Sequence, residues 1–363
     1  MIRILHVFGG LNRGGAETMI MNLYRSIDKT KLQFDFIVHT SRKQAYEDEI
    51  IALGGRIYVF PRFNGLNFLF MKKYWTSFLN AHREYRVLHS HVRSYASLFI
   101  PIAKKRGLKT IVHSHSTSNG KGVVSIAKRL MQYPLRKQAD FFIGCSKEAG
   151  EWLFGKKTLQ SDRYYMLPNA IDVEAYRFKP EIREKYRSIL GLKDERTFIH
   201  VGRFHPAKNH AFLLDLFEEI HKTDNNTKLI LVGDGELRPK IEKRIHELHL
   251  ASSVILTGSR NDVPNLLMVA DCFLFPSLWE GLPVTVIEAQ AAGLPCLISD
   301  RVTNDVRVSE LVHPLSIKNG VDEWIKTIYE LDYMRQDVSK QIVNAGFDVN
   351  TTAVWLEDFY QGL

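Results

Sequence analysis

Short runs of β-branched and aromatic residues alternate along the chain with stretches whose apolar positions recur at helical spacing. In the first half, Ile2 to Phe8, Phe34 to His39, Arg56 to Phe60, Val87 to His91, Thr110 to His115 and Phe141 to Cys145 are predicted strands. Helices are predicted from about Ala16 to Ile27 and from about Ser94 to Lys105, and Ser146 is placed to cap another. Tyr164 to Ile171 holds a turn-forming Pro-Asn pair and is expected to lead into a linker near residues 172 to 195. The second half repeats the pattern. A strand at Thr197 to Val201 precedes a helix from about Asn209 to Lys222, and Lys228 to Val232 ends in GDGE before a charged helix reaching about Leu248. Ser253 to Thr257, Cys272 to Pro276 and Leu294 to Ser299 complete a second set of strands.

Strands alternating with helices imply right-handed crossovers and doubly wound parallel sheets. The fold class expected is α/β, with two Rossmann-like domains facing across a cleft at the carboxyl ends of their strands. Their expected limits are 1–175 and 176–345, with 346–363 a helix crossing back to brace the first domain. Length agrees, since 363 residues suit two domains of about 150 each. With 45% hydrophobic and 25% charged residues the chain is neither collagenous, wholly disordered nor integral to a membrane. No apolar run approaches the ~18 residues of a spanning helix, and the start MIRILHVFGG is too short in apolar residues for a secretory signal. Cys145, Cys272 and Cys296 are odd in number and far apart, which argues against a disulfide framework or zinc site and for a reducing, cytoplasmic setting.

Charge changes the picture. Residues 1 to 180 hold 29 Lys+Arg against 13 Asp+Glu, a balance of +16, and the remainder holds 20 against 27, a balance of −7. An anionic partner met by the first half is implied: nucleic acid, an anionic membrane leaflet or a phosphorylated substrate. A basic surface kept for solubility would give the same asymmetry.

Three segments carry candidate chemistry. FGGLNRGGAE, Phe8 to Glu17, puts four glycines between a strand and a helix, so backbone can approach an anion at the helix start. It matches neither common nucleotide fingerprint, and a turn made only for packing would look alike. HVGRFHPAKN, His200 to Asn209, sets Arg203 and Lys208 in the loop after a strand, where two cations can clamp a diphosphate. A solvated basic loop would read the same way. SLWEGLPVTVIEAQAAGLPCLISD, Ser277 to Asp300, is the most specific: Pro283 opens a helix that Gly293 closes. Backbone near Gly281 and Leu282 can offer amides to a phosphate, and Glu280 and Glu288 flank that anion site.

In this order, GGAE, G-R-x4-K-N, GDG and E-x7-E followed by G-x-P, the chain resembles a retaining glycosyltransferase of family 4 with the GT-B fold, over nearly its whole length. The resemblance implies that Arg203 and Lys208 hold the donor diphosphate, Glu280 the transferred sugar and Glu288 the ribose. It implies that Gly15 meets the donor phosphates from the other domain, that Gly233 lies near the nucleotide, and that Gly258 to Arg260 contact the base through backbone. The expected reaction moves a sugar from a nucleotide sugar, UDP-linked, to a glycan acceptor in exopolysaccharide or other surface-glycan assembly. A sugar-nucleotide epimerase of the same fold is the alternative. A nucleic-acid-binding protein fits less well, because no recognition motif accompanies the basic half.

HSH occurs at His89 to His91 and at His113 to His115. Alternate residues share a strand face only within each pair, and no carboxylate or cysteine joins them, so metal binding is not expected. Family likeness places an active-site histidine at the second strand end, at His115 with Ser116 and Thr117 beside it; His91 is a candidate for the acceptor side. No Asp-x-Asp occurs, so the leaving diphosphate is expected to be neutralised by Arg203, Lys208 and a helix terminus, without metal or other cofactor. Residues 63–79, rich in Phe, Leu, Trp and Tyr, and the basic amphipathic stretch 122–137 are candidates for docking on an anionic membrane surface beside a lipid-linked acceptor. Both could equally pack on the sheet.

Overall fold

The structure, a computed structural model, describes residues 1–12, 14–116 and 123–363. Arg13 of the glycine loop, with Thr117, Lys121 and Gly122, lies outside the described residues. The chain folds as two compact units, Met1–Ala170 with Asp348–Leu363, and Ile171–Phe347.

The first unit carries a seven-stranded parallel sheet: β1 (Ile2–Val7), β2 (Leu32–Val38), β3 (Ile57–Val59), β4 (Tyr85–Ser90), β5 (Lys109–Ser114), β6 (Phe141–Gly144) and β7 (Tyr164–Met166), ordered β3-β2-β1-β4-β5-β6-β7. The order reverses between β1 and β4, which opens a crevice at their carboxyl ends. Near-continuous apolar runs fit strands covered on both faces. Ile4, Val87 and Ile111 face one layer, and Leu5, Leu88 and Val112 the other. The first layer includes the helices Gly15–Ser26 and Val349–Gln361, which pack on each other. The last helix starts at Asp348, whose carboxylate accepts from the Thr351 amide.

The second unit holds β8 (Arg196–Val201), β9 (Thr227–Val232), β10 (Val254–Gly258), β11 (Cys272–Phe275), β12 (Cys296–Ser299) and β13 (Val312–Leu315), ordered β10-β9-β8-β11-β12-β13 and all parallel. Its switch point lies between β8 and β11.

The expected linker at residues 172 to 195 is not one. Val173–Tyr176 and Pro180–Ile189 are helices of the second unit. Pro180 fits the first helical turn. Arg183 donates to the carbonyl oxygens of Met268, Val269 and Ala270 and pairs with Asp271 at 2.6 Å, which fastens the helix to the sheet layer. The preceding segment, read as a turn, contains β7. β13 went unread because His313 and Pro314 interrupt its apolar run. All three cysteines are buried and free. Among the described residues no helix is long and apolar enough to cross a membrane.

Candidate functional site

In the second unit the loops after β8 and β11 meet at the switch point, where the Leu278 amide donates to the Ala207 carbonyl at 2.8 Å. This contact places Lys208 beside Glu280, 2.7 Å apart and both largely covered. The Lys208 ammonium also lies 4.5 Å from the centre of the Phe275 ring, a further stabilisation of its charge. Arg203 is exposed and reaches Glu236 at 3.1 Å, an ion pair that an incoming diphosphate can displace at little cost. Asn209, in the left-handed region at φ 55°, turns the chain into the His210–Thr223 helix.

Gly233 packs the GDGE turn onto the same loop. A Cβ there would stand 2.0 Å from the Gly202 carbonyl oxygen, and φ of 142° is unfavourable to any side chain. Its amide donates to Gly258 O at the end of β10, while the Arg260 side chain is committed to Asp262 at 2.8 and 2.7 Å. The Val284–Ala291 helix begins at Pro283 with no side-chain cap, so its first amides face the loop of Gly281 and Leu282. A Cβ on Gly281 would meet nothing within 4 Å, leaving open space at that end. Glu288, one helical turn further in, is joined to Tyr176, and burial pushes its carboxyl up to about 7 against the lowering effect of that hydrogen bond. Tyr176, on a segment read as linker, is a site residue the sequence did not suggest.

Gly15 and His115 belong to the first unit. Gly15 opens the first helix, and the amide nitrogen of Asn169 lies 3.7 Å from where its Cβ would be. Here the structure corrects the reading of the two HSH pairs as separate. β1, β4 and β5 are adjacent, His6 stands opposite His89, and alternate residues of all three strands face one layer, so five imidazoles gather. His6 Nδ1 lies 3.0 Å from His91 Nε2, and His91 Nδ1 lies 2.8 Å from His115 Nε2. His89 Nδ1 is 2.6 Å from the Tyr360 hydroxyl of the last helix. His6, which no motif flagged, sits between Phe34 and Phe36.

The nitrogens of His6, His89 and His91, and of His91, His113 and His115, lie within 4.8 Å of one another, so either trio could reach a metal. The two close nitrogen pairs are shorter than the roughly 3.3 Å edge of a tetrahedron built on 2.0–2.1 Å zinc–nitrogen bonds, and fit hydrogen bonds instead. Burial holds all five neutral: His6 is pushed down to about 3 by burial alone, His115 to about 3 with help from the Arg93 charge, and His89, His91 and His113 fall well below the usual histidine range with added repulsion from neighbouring rings. A neutral imidazole has one N–H, so the chain His6–His91–His115 has only two self-consistent proton orders. One strands an N–H on His6 Nε2, inside the aromatic core; the other places it on His115 Nδ1. Neither atom has a partner among the described residues. Both atoms are buried, so each order leaves one enclosed N–H without a partner among the described residues, at His6 in the first and at His115 in the second.

Two doubly wound parallel sheets, each with a switch-point crevice, have the GT-B architecture of glycosyltransferases. Residues 13–175 match the family described as Glycosyltransferase Family 4 and residues 182–342 the one described as Glycosyl transferases group 1, and the chain belongs to this glycosyltransferase family. It is 34% identical to EpsF of Bacillus subtilis (strain 168), named as a glycosyltransferase, over 99% of this chain and 96% of that protein. It is 28% identical to the UDP-Gal:alpha-D-GlcNAc-diphosphoundecaprenol alpha-1,3-galactosyltransferase of Escherichia coli, over 76% of this chain and 75% of the relative. The crystal structure of Anabaena Alr3699/HepE in complex with UDP superposes with a TM-score of 0.79 at 18% identity, covering 100% of both chains.

Proposed function

We propose that this glycosyltransferase moves a sugar from a UDP-sugar to a lipid-diphosphate-linked glycan with retention of anomeric configuration, and without a metal at the leaving diphosphate. The observation that carries the reading is the largely covered Lys208–Glu280 pair at the β8/β11 switch point, with Arg203 and an uncapped helix start nearby. Lys208 and Arg203 neutralise the diphosphate, and amides around Gly281 and Leu282 add fixed dipoles. Glu280 accepts from hydroxyls of the transferred sugar and Glu288 from those of the ribose. Gly233 and the backbone of Arg260 approach the nucleotide, Gly15 serves the donor phosphates, and His115 stands at the active site at the end of β5. The bond between the anomeric carbon and the diphosphate oxygen breaks, and the acceptor oxygen bonds that carbon on the same face. The acceptor hydroxyl proton passes to the departing diphosphate. The UDP in the Anabaena structure and the diphosphoundecaprenol acceptor named for the Escherichia coli relative support donor and acceptor classes.

A panel of nucleotide sugars, each with and without acceptor and with excess chelator, tests this. A UDP-sugar should be consumed only with acceptor, the product's anomeric NMR coupling should match the donor's, and chelator should leave the rate unchanged. Lys208→Ala should lower kcat/KM by about 100-fold, the scale of losing one preorganised charge at the leaving group. Donor isomerised without acceptor, an inverted product, or activity abolished by chelator would overturn the reading.

A further inference from the structure

A cavity of about 770 Å³ opens in the first unit at the carboxyl ends of β1 to β4, where the sheet order reverses. Its size falls within the roughly 300–1,000 Å³ of small-ligand sites. Three arginines line it, Arg42 after β2, Arg62 after β3 and Arg93 after β4, and no carboxylate is among its described lining residues. Neither the Arg42 nor the Arg62 guanidinium is ion-paired among the described residues. Arg93 is half-buried and stacked over Trp152 at 5.1 Å, so it is held in place before any ligand arrives. Phe63, stacked on Tyr95 at 5.6 Å, forms an apolar wall, and His91, hydrogen-bonded to His115, closes the inner side.

Three guanidinium-bearing residues lining one cavity, with no carboxylate among its described lining, suit a dianionic or more highly charged ligand, and guanidinium forks suit phosphoryl oxygens. The segment that supplies Arg62 and Phe63 continues directly into Leu66, Phe68, Leu69 and Phe70, all exposed, with Leu66 at 95% and Leu69 at 77%. An anion site whose lining segment runs on within a few residues into uncovered aliphatic and aromatic side chains suits an amphiphile better than a free nucleotide. We propose that this cavity binds the diphosphate of an isoprenoid-diphosphate acceptor, with Arg42, Arg62 and Arg93 gripping its phosphoryl oxygens and the 66–70 segment meeting its hydrocarbon. The assignment rests on the acceptor class proposed above and gives it a location, with His91 and His115 beside the sugar end.

Geranyl diphosphate, titrated calorimetrically into UDP-saturated protein in about 0.15 M salt, is the probe. Saturable binding is expected, about tenfold weaker for Arg62→Ala and for Arg42→Ala, the scale of one charge-assisted contact, with geraniol binding far more weakly than the diphosphate. Equal binding of geraniol, or diphosphate binding untouched by both substitutions, overturns the assignment. So does a result in which the substitutions spare geranyl diphosphate but release the protein from phosphatidylglycerol vesicles, since the arginines would then serve a phospholipid surface. UDP titration of the same variants separates this outcome from failure of the transferase reading. Unchanged UDP affinity with lost geranyl diphosphate binding supports the cavity, whereas wild-type protein that binds no UDP removes the donor proposal and leaves the cavity to be judged by the probe alone.

Discussion

Glu288 carries the clearest titration among the residues proposed to meet the donor. Its carboxyl, raised to about 7 by burial, is partly protonated at neutral pH, yet only the ionised form can accept hydrogen bonds from both hydroxyls of a ribose. Donor affinity should therefore rise as pH climbs from 6 to 8, by up to about tenfold, because a carboxyl one unit below its pKa is only about a tenth ionised. Glu288→Gln should bind more weakly at pH 8 and show a flat profile. Titrations with a UDP-sugar, whose diphosphate binds no proton in that range, check it, and a wild-type profile as flat as the variant's would remove Glu288 from the ribose. Residue types and spacing put Lys208 and Glu280 at one place in the fold, and they meet there at 2.7 Å. Tyr176 was hidden because its partner lies 112 positions away in sequence, a distance no local pattern spans.

Among elements, lateral strand order decided what the sequence could and could not tell. Period-two alternation correctly put each HSH pair on one strand face. It could not say that β4 and β5 are neighbours, that β1 lies beside β4, or that His6 joins from a strand with no histidine motif. The resulting stack has a thermodynamic signature. The five imidazoles are held neutral in the fold, with pKa values below the unfolded one, so nothing is lost above about pH 6.5. Below that the unfolded chain takes up protons the folded one refuses, and stability falls by up to ~1.4 kcal/mol per pH unit per histidine. Thermal unfolding between pH 7.5 and 5.5 should show a steep loss, shallower in His113→Asn than in wild type. Equal slopes would mean that His113 is protonated in the fold. The strands themselves were largely readable from their apolar runs. The helices at 173–189 were not, because their charged sequence looks like a linker until Arg183 is seen binding three carbonyls and Asp271.

For the molecule as a whole, the +16 balance of the first 180 residues coincides with apolar side chains left uncovered. The Phe68–Ala81 helix buries Met71, Trp75 and Leu79 against the sheet but exposes Phe68, Leu69 and Phe70. The Val123–Gln132 helix exposes Ile126 and Leu130 beside Lys128 and Arg129, and Tyr133 follows one turn on. Packing on the sheet therefore occupies one face of the Phe68–Ala81 helix and leaves another face free for the leaflet docking that the sequence suggests. Flotation with anionic vesicles should recover the protein at low salt and progressively less as salt rises, since each basic residue near such a surface is worth about 1 kcal/mol. Ile126→Asp with Leu130→Asp should reduce recovery, and absence of flotation even at low ionic strength would withdraw the membrane from the account.

The Val349–Gln361 helix has a consequence for how the chain is made. Its Tyr360 supplies the hydroxyl that meets His89, and Ala353 and Leu356 fill the layer above β1 and β4. During synthesis the amino-terminal unit therefore emerges first but acquires its final piece last, after the intervening 177 residues and the carboxyl end have left the ribosome. A chain cut after Phe347 would keep every residue of the second unit yet lose the Tyr360 hydroxyl from His89, leaving the histidine layer uncovered on that side.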